Sequence, residues 1–500
     1  MSIFASIKQL FKHSAVYGIG HIVTRSINFL LMPLYTNLFP REEYGAVGIL
    51  FTYIAILAIF YTYGLDAAFF RFYLIDDKPG DRKTVFSTAF ITITCTSVLY
   101  TILVLSFSEP LSLALFSSDA HALGIDLSLL IALAGGILFF DSLTFLPFLI
   151  LRAEQKSFTF ILLKFINVIL LVAGNIVLLG VFDMGVEGVF IANLIASAAT
   201  AILLLPIGLR RMGWCYSKST LKELLSFGLP YLPSTLSVVI MDTIDRPLLE
   251  HLADIEIAGL YNAGVKLGMF MSLFVAAFRF AWHPYFLATS KQENAKAIFR
   301  KVFTYVMLAC LAVFLVLSVY IDDIVRLSVG QWSLVGEKYW DSTVVVPVIM
   351  LSYVFYAAYV NFLISIYLEK KTKVLPFITV AGMLGNLAVN FIFIPQFGMM
   401  AAGWARLVAY VIMAVSLYFV AQKLYHIEYE WGRLLKLGLV VFVLFIGSQS
   451  AAIQASLFWK TGLVIFFPFL LFAVGFFESN EMNTVKRILN RNKSLSGESQ

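Results

Sequence analysis

Long apolar stretches alternate with short polar gaps along almost the whole chain. A helix needs roughly 20 apolar residues to cross the hydrocarbon core of a bilayer, and the stretches have about this length. The pattern therefore predicts an all-α integral membrane protein. Its spans are predicted at 14–38, 44–65, 84–106, 126–150, 158–180, 185–208, 227–249, 257–280, 302–320, 343–366, 374–394, 399–421, 437–455 and 460–477, which makes about fourteen transmembrane helices.

The basic residues predict the orientation of these helices. Most of the 36 Lys and Arg residues fall in every second gap, and the intervening gaps hold only Arg41, Arg326, Lys338 and Lys460. Because loops rich in Lys and Arg stay in the cytoplasm, we expect both termini to be cytoplasmic. No small-residue cleavage site follows the first span, so we expect no removable signal peptide.

Composition narrows the function classes. Hydrophobic residues make up 60% of the chain and charged residues 13%, about half the charged fraction of a soluble protein. The net charge of +6 is explained by cytoplasmic loops facing anionic lipid, so we expect no nucleic-acid partner. Three scattered cysteines indicate neither a disulfide framework nor a zinc site. No P-loop and no His-Glu-x-x-His motif is present, so we expect no cofactor and no metal centre.

The two halves of the chain resemble each other. The first span opens with Tyr17-Gly18 and the seventh with Phe227-Gly228, and small residues recur at steps of three and four: Gly185, Gly188 and Ala192, then Gly398, Ala401 and Ala405. Small residues at such steps allow close helix packing. We therefore predict two like-oriented six-helix lobes (1–208 and 227–421), a cytoplasmic linker (209–226), two appended helices (437–477) and a cytoplasmic tail (478–500).

Charged side chains inside the spans are the candidate functional residues, because one charge at the bilayer centre costs about 2.5–3.5 kcal/mol. Arg25 lies near the middle of the first span and shares a helix face with His21 and Asn28. A guanidinium group can hold a phosphate through two parallel hydrogen bonds. These three residues are therefore predicted to bind substrate, and the alternative for Arg25 is a structural pair with a carboxylate.

The seventh span carries three charges on one helix face, Asp242, Asp245 and Arg246. They are candidates for ion coupling, or for a charge pair between Asp242 and Arg246. Pro230 and Pro233 near the start of this span predict a bend or an unwound segment.

Two further cations lie deep in predicted spans. Lys266 is a candidate substrate ligand that could instead pair with Asp245, and Arg406 is a second cationic candidate. Asp66, followed by Arg71 at the inner end of the second span, is more typical of a charge pair or hinge.

The motifs resemble those of the polysaccharide transporters, the Wzx-type lipid-linked oligosaccharide flippases of the multidrug/oligosaccharidyl-lipid/polysaccharide (MOP) superfamily. The resemblance covers spans 1–12 and rests on Tyr17-Gly18, Pro33-Leu34-Tyr35-Thr36, Glu43-Tyr44-Gly45, Gly64-Leu65-Asp66, Arg71-Phe72-Tyr73, Asp245-Arg246, Gly259-Leu260-Tyr261 and Trp282-x-Pro284. The number of predicted spans, fourteen rather than twelve, resembles that of the family variant that includes the lipid II flippases.

The resemblance implies a two-lobed bundle that works by alternating access in the bacterial plasma membrane. The expected cargo is an oligosaccharide on undecaprenyl pyrophosphate, moved to the outer leaflet for surface polysaccharide biosynthesis, with a polymerase or glycosyltransferases as further partners. Family members place cations in the central cavity, and Arg25 matches such a position. Lys266 and Arg406 match no family motif, so their roles rest on burial alone.

Two other functions stay open at this point. A cation-coupled multidrug exporter of the related branch would depend on the intramembrane carboxylates and would not need Arg25. An integral membrane enzyme, such as a sugar polymerase or acyltransferase, is disfavoured because the chain has neither a large external segment nor an acid–base constellation.

The Arg25 hypothesis predicts a graded loss of transport. Arg25→Ala should abolish transport of the lipid-linked oligosaccharide, whereas Arg25→Lys should retain part of it, because Lys keeps the charge and loses the bidentate hydrogen bonds. The measurement is surface polysaccharide in cells that carry each variant as the sole copy. Wild-type transport by a stably inserted Arg25→Ala protein would contradict the hypothesis.

Overall fold

The computed structural model describes residues 29–75, 79–290 and 292–478, and these residues are overwhelmingly helical. The helices of the first part are α1 Met32–Leu38, α2 Arg41–Thr62, α3 Leu65–Ile75, α4 Pro79–Ser106, α5 Ser108–Leu115, α6 Ser118–His121, α7 Leu127–Ala153, α8 Ser157–Gly180 and α9 Gly185–Leu209.

The helices of the second part are α10 Lys218–Gly228, α11 Leu232–Thr243, α12 Asp245–Leu252, α13 Ile255–Thr289, α14 Ala295–Val325, α15 Val346–Leu368, α16 Leu375–Phe397, α17 Met399–Leu424, α18 Trp431–Ser448, α19 Ala451–Gln454 and α20 Leu457–Ala473. Short 3-10 segments occupy Leu229–Tyr231, Glu337–Val345 and Thr372–Val374, and the strands β1 Ser328–Val329 and β2 Trp332–Ser333 form one antiparallel pair.

Twelve helical stretches in the described part of the chain are long and apolar enough to cross a membrane, and α20 is a shorter apolar helix. Together they correspond to thirteen of the fourteen predicted spans. The first predicted span, 14–38, lies mostly outside the described residues, and only its end is described, chiefly as α1. The predicted fold class, an all-α multi-pass membrane protein, is confirmed.

The seventh span is longer and more interrupted than predicted. Its helical path begins at Lys218, within the predicted linker, and passes through the 3-10 turn Leu229–Tyr231, which interrupts the α-helix where the prolines predict a bend or an unwound segment. A second interruption at Ile244 separates α11 from α12. Proline has no N–H, so Pro247 cannot donate to the Thr243 carbonyl as a helical residue would.

Side chains from elsewhere satisfy the carbonyls at this interruption. Thr52 Oγ1 on α2 donates to the Thr243 carbonyl at 3.1 Å, and Arg406 Nη2 on α17 donates to the Asp242 carbonyl at 2.8 Å. A buried carbonyl without a donor is costly, so these bonds stabilise the interrupted path. The interruption is therefore tied to both halves of the chain.

The two halves show matching helix packing. In the first half α9 packs against both α7 and α8, and in the second half α17 packs against both α15 and α16. Gly185 is the first residue of α9 and Gly398 directly precedes α17. Their φ angles are +63° and +51°, in the region that favours glycine. These correspondences support the predicted repeat, and the division into lobes at 1–208 and 227–421 remains a prediction.

Contacts divide the chain into two compact units. Among the described residues, one unit comprises those up to Ala288 together with Ile324–Tyr425, and the other comprises Thr289–Asp323 together with those from His426 onward. Within the second unit, Lys460 on α20 is 2% exposed and pairs with Asp323 on α14 at 2.6 Å. The candidate site described next lies entirely within the first unit.

Candidate functional site

A cavity of about 530 Å³ lies between α2 of the first half and helices α11, α12, α13, α15 and α17 of the second half. Its ionisable lining consists of four basic side chains and one carboxylate, in addition to tyrosines: Arg246, Lys266, Arg279, Arg406 and Asp242. The lining therefore has an excess of positive charge. A cavity of this charge, walled by low-dielectric protein, favours an anionic ligand.

Arg406 is not a free cation of this cavity. Its guanidinium is 1% exposed, and Nη2 lies 2.9 Å from Oδ2 of Asp245, whose side chain is fully buried. The Asp245 carboxylate also accepts hydrogen bonds from the Tyr261 hydroxyl at 2.7 Å and from the Nδ2 atoms of Asn390 at 2.9 Å and Asn386 at 3.4 Å. The buried pair thus neutralises the charge of Arg406, whose predicted role in substrate binding stays untested.

The other two charged side chains of the seventh span have neutral hydrogen-bond partners. Asp242 Oδ1 accepts from the Tyr410 hydroxyl at 2.6 Å, and Arg246 Nε donates to Asn262 Oδ1 at 2.9 Å. Among the described residues, the ion pairs considered from the sequence, Asp242 with Arg246 and Lys266 with Asp245, are not formed, because each carboxylate has nearer donors.

Three cations of the cavity have no carboxylate within salt-bridge distance among the described residues. They are Lys266, Arg246 and Arg279. The ammonium of Lys266 lies 4.9 Å from the ring centroid of Tyr44 and 5.3 Å from that of Tyr35, which is cation–π geometry. Neutral and aromatic neighbours hold these cations in place without cancelling their charge.

The predicted eighth span, 257–280, places Arg279 at its cytoplasmic end. The helix α13 instead continues to Thr289, so Arg279 lies within the helix, exposed, and its Nη1 lies 3.1 Å from the Tyr356 hydroxyl oxygen. The apolar residues that follow Arg279, including Phe280 and Trp282, were the signal that the helix extends further.

The remaining predicted site residues are placed as follows. His21, Arg25 and Asn28 lie outside the described residues. Asp66 is exposed in the first turn of α3 and does not line the cavity. The guanidinium of its neighbour Arg71 lies 4.6 Å from the ring centroid of Phe227.

Beyond the residues that line one end of the cavity, the starts of α2 and α13 meet in close backbone contact. A Cβ atom at Gly259 would lie 1.9 Å from the Arg41 carbonyl oxygen, and one at Gly45 would lie 2.4 Å from the Ile255 carbonyl oxygen. A Cβ at Gly336 would lie 2.0 Å from the Thr36 carbonyl oxygen. Only glycine permits backbones to approach this closely. We call the contacts of Gly45, Gly259 and Gly336 the glycine seal.

Polar contacts surround the glycine seal. Arg41 pairs with Glu256 at 2.8 Å and with Asp341 at 2.9 Å, and the Tyr339 hydroxyl donates to the Pro40 carbonyl at 2.9 Å. Each of these contacts joins the first half of the chain to the second. Arg279 lies 24 residues beyond the start of α13, about 36 Å along the helix, and so lies far from the seal.

The fold and the charged cavity define a multi-pass membrane protein with the architecture of solved transporters. The structure is similar to the lipid II flippase MurJ in an inward closed conformation, with a TM-score of 0.73 and 15% identity over 92% of this chain and 97% of that chain. It is also similar to an inward-facing multidrug resistance MATE family transporter of the MOP superfamily, with a TM-score of 0.63 and 16% identity over 80% of this chain and 94% of that one.

Sequence comparison gives the family. Residues 10–290 match the family described as polysaccharide biosynthesis protein, and the chain belongs to this family. A protein of the Lsg locus of Haemophilus influenzae is 22% identical over 417 residues, which are 76% of this chain and 96% of that protein. The resemblance identified from the sequence motifs is thereby confirmed.

The glycine seal makes a prediction about access to the cavity. Gly259→Ala should keep α2 and α13 apart, because the added methyl group would overlap the Arg41 carbonyl. Val265 lines the cavity and is 1% exposed. A cysteine at this position, Val265→Cys in a protein whose native cysteines are replaced by Ser, therefore reports whether a reagent can enter the cavity. Labelling by a membrane-impermeant maleimide added to intact cells should rise several-fold in the Gly259→Ala background.

The matched control is Gly180→Ala, since a Cβ at Gly180 meets nothing within 4 Å. This control should label like the reporter alone. Equal labelling of the Gly259→Ala and Gly180→Ala proteins, both inserted at normal levels, would show that the glycine contacts do not seal the cavity.

Proposed function

We propose that this protein is a flippase that carries an undecaprenyl-pyrophosphate-linked oligosaccharide from the cytoplasmic to the outer leaflet by alternating access. The observation that carries the proposal is the cavity in which Arg246, Lys266 and Arg279 face the lumen without carboxylate partners among the described residues. Membership of the polysaccharide biosynthesis family supports a glycan cargo.

The chemistry of the three cations suits a diphosphate. Arginine offers paired donors in a planar fork, and lysine offers a compact charge that adapts to either phosphate. In a cavity of low dielectric constant, attraction between such charges is stronger than in water. The polyprenyl tail would remain in lipid while the headgroup occupies the cavity.

The membrane potential supports the direction of transport. A diphosphate with about two negative charges gains roughly 4–5 kcal/mol on moving outward through 100 mV, negative inside, at about 2.3 kcal/mol per charge. Outward movement of the headgroup is therefore favoured without a chemical reaction, which is consistent with a transporter rather than an enzyme.

The proposed orientation follows from the basic loops, with both termini cytoplasmic in the bacterial plasma membrane. The glycine seal then faces the outside, and Arg279 lies toward the cytoplasm. In this arrangement a headgroup enters from the cytoplasmic side, and transport requires the seal to open. Glycosyltransferases that complete the oligosaccharide, or a polymerase that consumes it, are the partners that such a function requires.

A cation-coupled multidrug exporter is the second candidate, and Asp242 on the cavity wall is the observation that favours it. An exporter of cationic drugs needs a carboxylate that dominates its cavity, but here basic side chains outnumber acidic ones. The two functions are distinguished by depleting the protein and measuring the lipid-linked oligosaccharide pool. The flippase proposal expects completed units to accumulate on the cytoplasmic side while surface polysaccharide disappears.

Binding by the purified protein tests the role of the cavity cations. Lys266→Ala should weaken binding of undecaprenyl pyrophosphate by about tenfold or more, since a hydrogen bond to a charged group contributes about 1.5–3 kcal/mol. Lys266→Arg should restore most of the affinity, and Arg246→Ala and Arg279→Ala should each weaken binding too. Native mass spectrometry with titrated lipid measures these affinities.

Lys373→Ala provides the charge-matched control, because Lys373 is exposed in the short segment between α15 and α16. Undecaprenol, which lacks phosphate, provides the ligand control, and its binding should not change in any variant. If Lys266→Ala weakened the binding of both lipids equally, the cavity would not be the diphosphate site.

A further inference from the structure

The carboxylate of Asp245 accepts four hydrogen bonds among the described residues. Oδ2 accepts from Arg406 Nη2 and the Tyr261 hydroxyl, and Oδ1 accepts from the amide nitrogens of Asn390 and Asn386. The side chain is fully buried. The carboxylate is therefore paired with a guanidinium from α17 and accepts further hydrogen bonds from α13 and α16.

The guanidinium of Arg406 lies between a carboxylate oxygen and a backbone carbonyl oxygen. Two oxygens converge on its Nη2, the Asp245 carboxylate at 2.9 Å and the Asp242 carbonyl at 2.8 Å, and the Tyr261 hydroxyl donates to the same carboxylate oxygen. Carboxylate and carbonyl oxygens are ligands that hard cations prefer. The site thus has the chemistry of a cation site, and an arginine side chain fills it.

We infer that Arg406 is a tethered cation that takes the place of a diffusible Na⁺ or proton at Asp245. The protein is consequently not coupled to a sodium or proton gradient through this carboxylate. The sequence made Asp245 a candidate for ion coupling, and the contacts of Arg406 assign it instead to a permanent charge pair. The part of this inference that concerns transport rests on the proposed flippase function. The part that concerns the effect of cations on the stability of the folded protein does not, because stability is measured without transport.

The inference follows from what removal of the guanidinium would do. Without Arg406, a buried carboxylate would lack its positive partner, which strongly destabilises the folded state. It would regain stability by binding a cation from solution or by taking up a proton. Asn390 Oδ1 has no hydrogen-bond partner among the described residues and could join the carboxylate and carbonyl oxygens as a ligand.

The test uses the purified full-length protein and its thermal unfolding midpoint in NaCl or choline chloride at equal ionic strength, at pH 8.0 and pH 5.5. The wild-type midpoint should be the same in the two salts. In choline chloride at pH 8.0, Arg406→Gln should unfold at a lower temperature than the wild type. Its midpoint should rise by at least about 2 °C with Na⁺ or at pH 5.5, because a ligand of the folded state stabilises that state. Recovery in NaCl identifies Na⁺ as the replacement, and recovery at pH 5.5 alone identifies a proton.

Two matched variants keep the test decisive if Arg406→Gln does not fold. Arg406→Lys retains a tethered charge and should remain insensitive to Na⁺. Arg406→Gln combined with Asp245→Asn removes both charges and should also lose the dependence on Na⁺ and pH. A wild-type midpoint that rises with Na⁺, and loses this response in Asp245→Asn, would overturn the inference.

Transport in proteoliposomes distinguishes failure of the inference from failure of the proposed function. Wild-type flipping of a lipid-linked oligosaccharide should proceed at the same rate with and without Na⁺ or proton gradients. A rate that requires either gradient, and is lost in Asp245→Asn, contradicts the tethered cation while leaving the flippase intact. No flipping under any gradient, together with a wild-type midpoint insensitive to Na⁺, contradicts the function and leaves the tethered cation standing.

Discussion

The buried pair of Asp245 and Arg406 is the interaction on which the second half of the molecule depends. Both side chains are at most 1% exposed, so separating them would leave a charge in a medium of low dielectric constant. Asp245 starts α12, Arg406 belongs to α17, and the remaining donors come from α13 and α16. One carboxylate therefore fixes the relative positions of four helices around the interruption at Ile244, and Arg406 also satisfies the Asp242 carbonyl there.

This pair also determines which charges remain for a ligand. Four basic side chains line the cavity, but Arg406 is already neutralised, so the field that an entering anion meets comes from Arg246, Lys266 and Arg279. Their partners are neutral: an asparagine oxygen for Arg246, two tyrosine rings for Lys266 and a tyrosine hydroxyl for Arg279. Neutral partners orient a cation while leaving its charge available, which is the arrangement that a reversible anion site requires.

The sequence predicted thirteen of the described spans and the interruption at Leu229–Tyr231 well, because hydrophobic length and proline are local properties. It also found the intramembrane charges, but it could not assign their partners. The pairing of Asp245 with Arg406 joins residues far apart in sequence, and a closer alternative, Lys266, was equally plausible by position. Arg279 was not predicted as a site residue because it lies at the end of the predicted span 257–280, and the glycine seal was not predicted because a close approach of backbones depends on tertiary packing.

For the proposed alternating access, the two sets of charges indicate which contacts separate most easily. At the seal, the side chains that pair with Arg41 are 44% and 71% exposed, and exposed ion pairs contribute only about 0–1 kcal/mol. The glycine contacts there add close packing but bury no charge, so separating the halves at this end costs little electrostatically. Breaking the pair of Asp245 and Arg406 would instead leave a buried carboxylate unpaired. Motion that opens the cavity should therefore part the seal and carry α12, α13, α16 and α17 together as one rigid group.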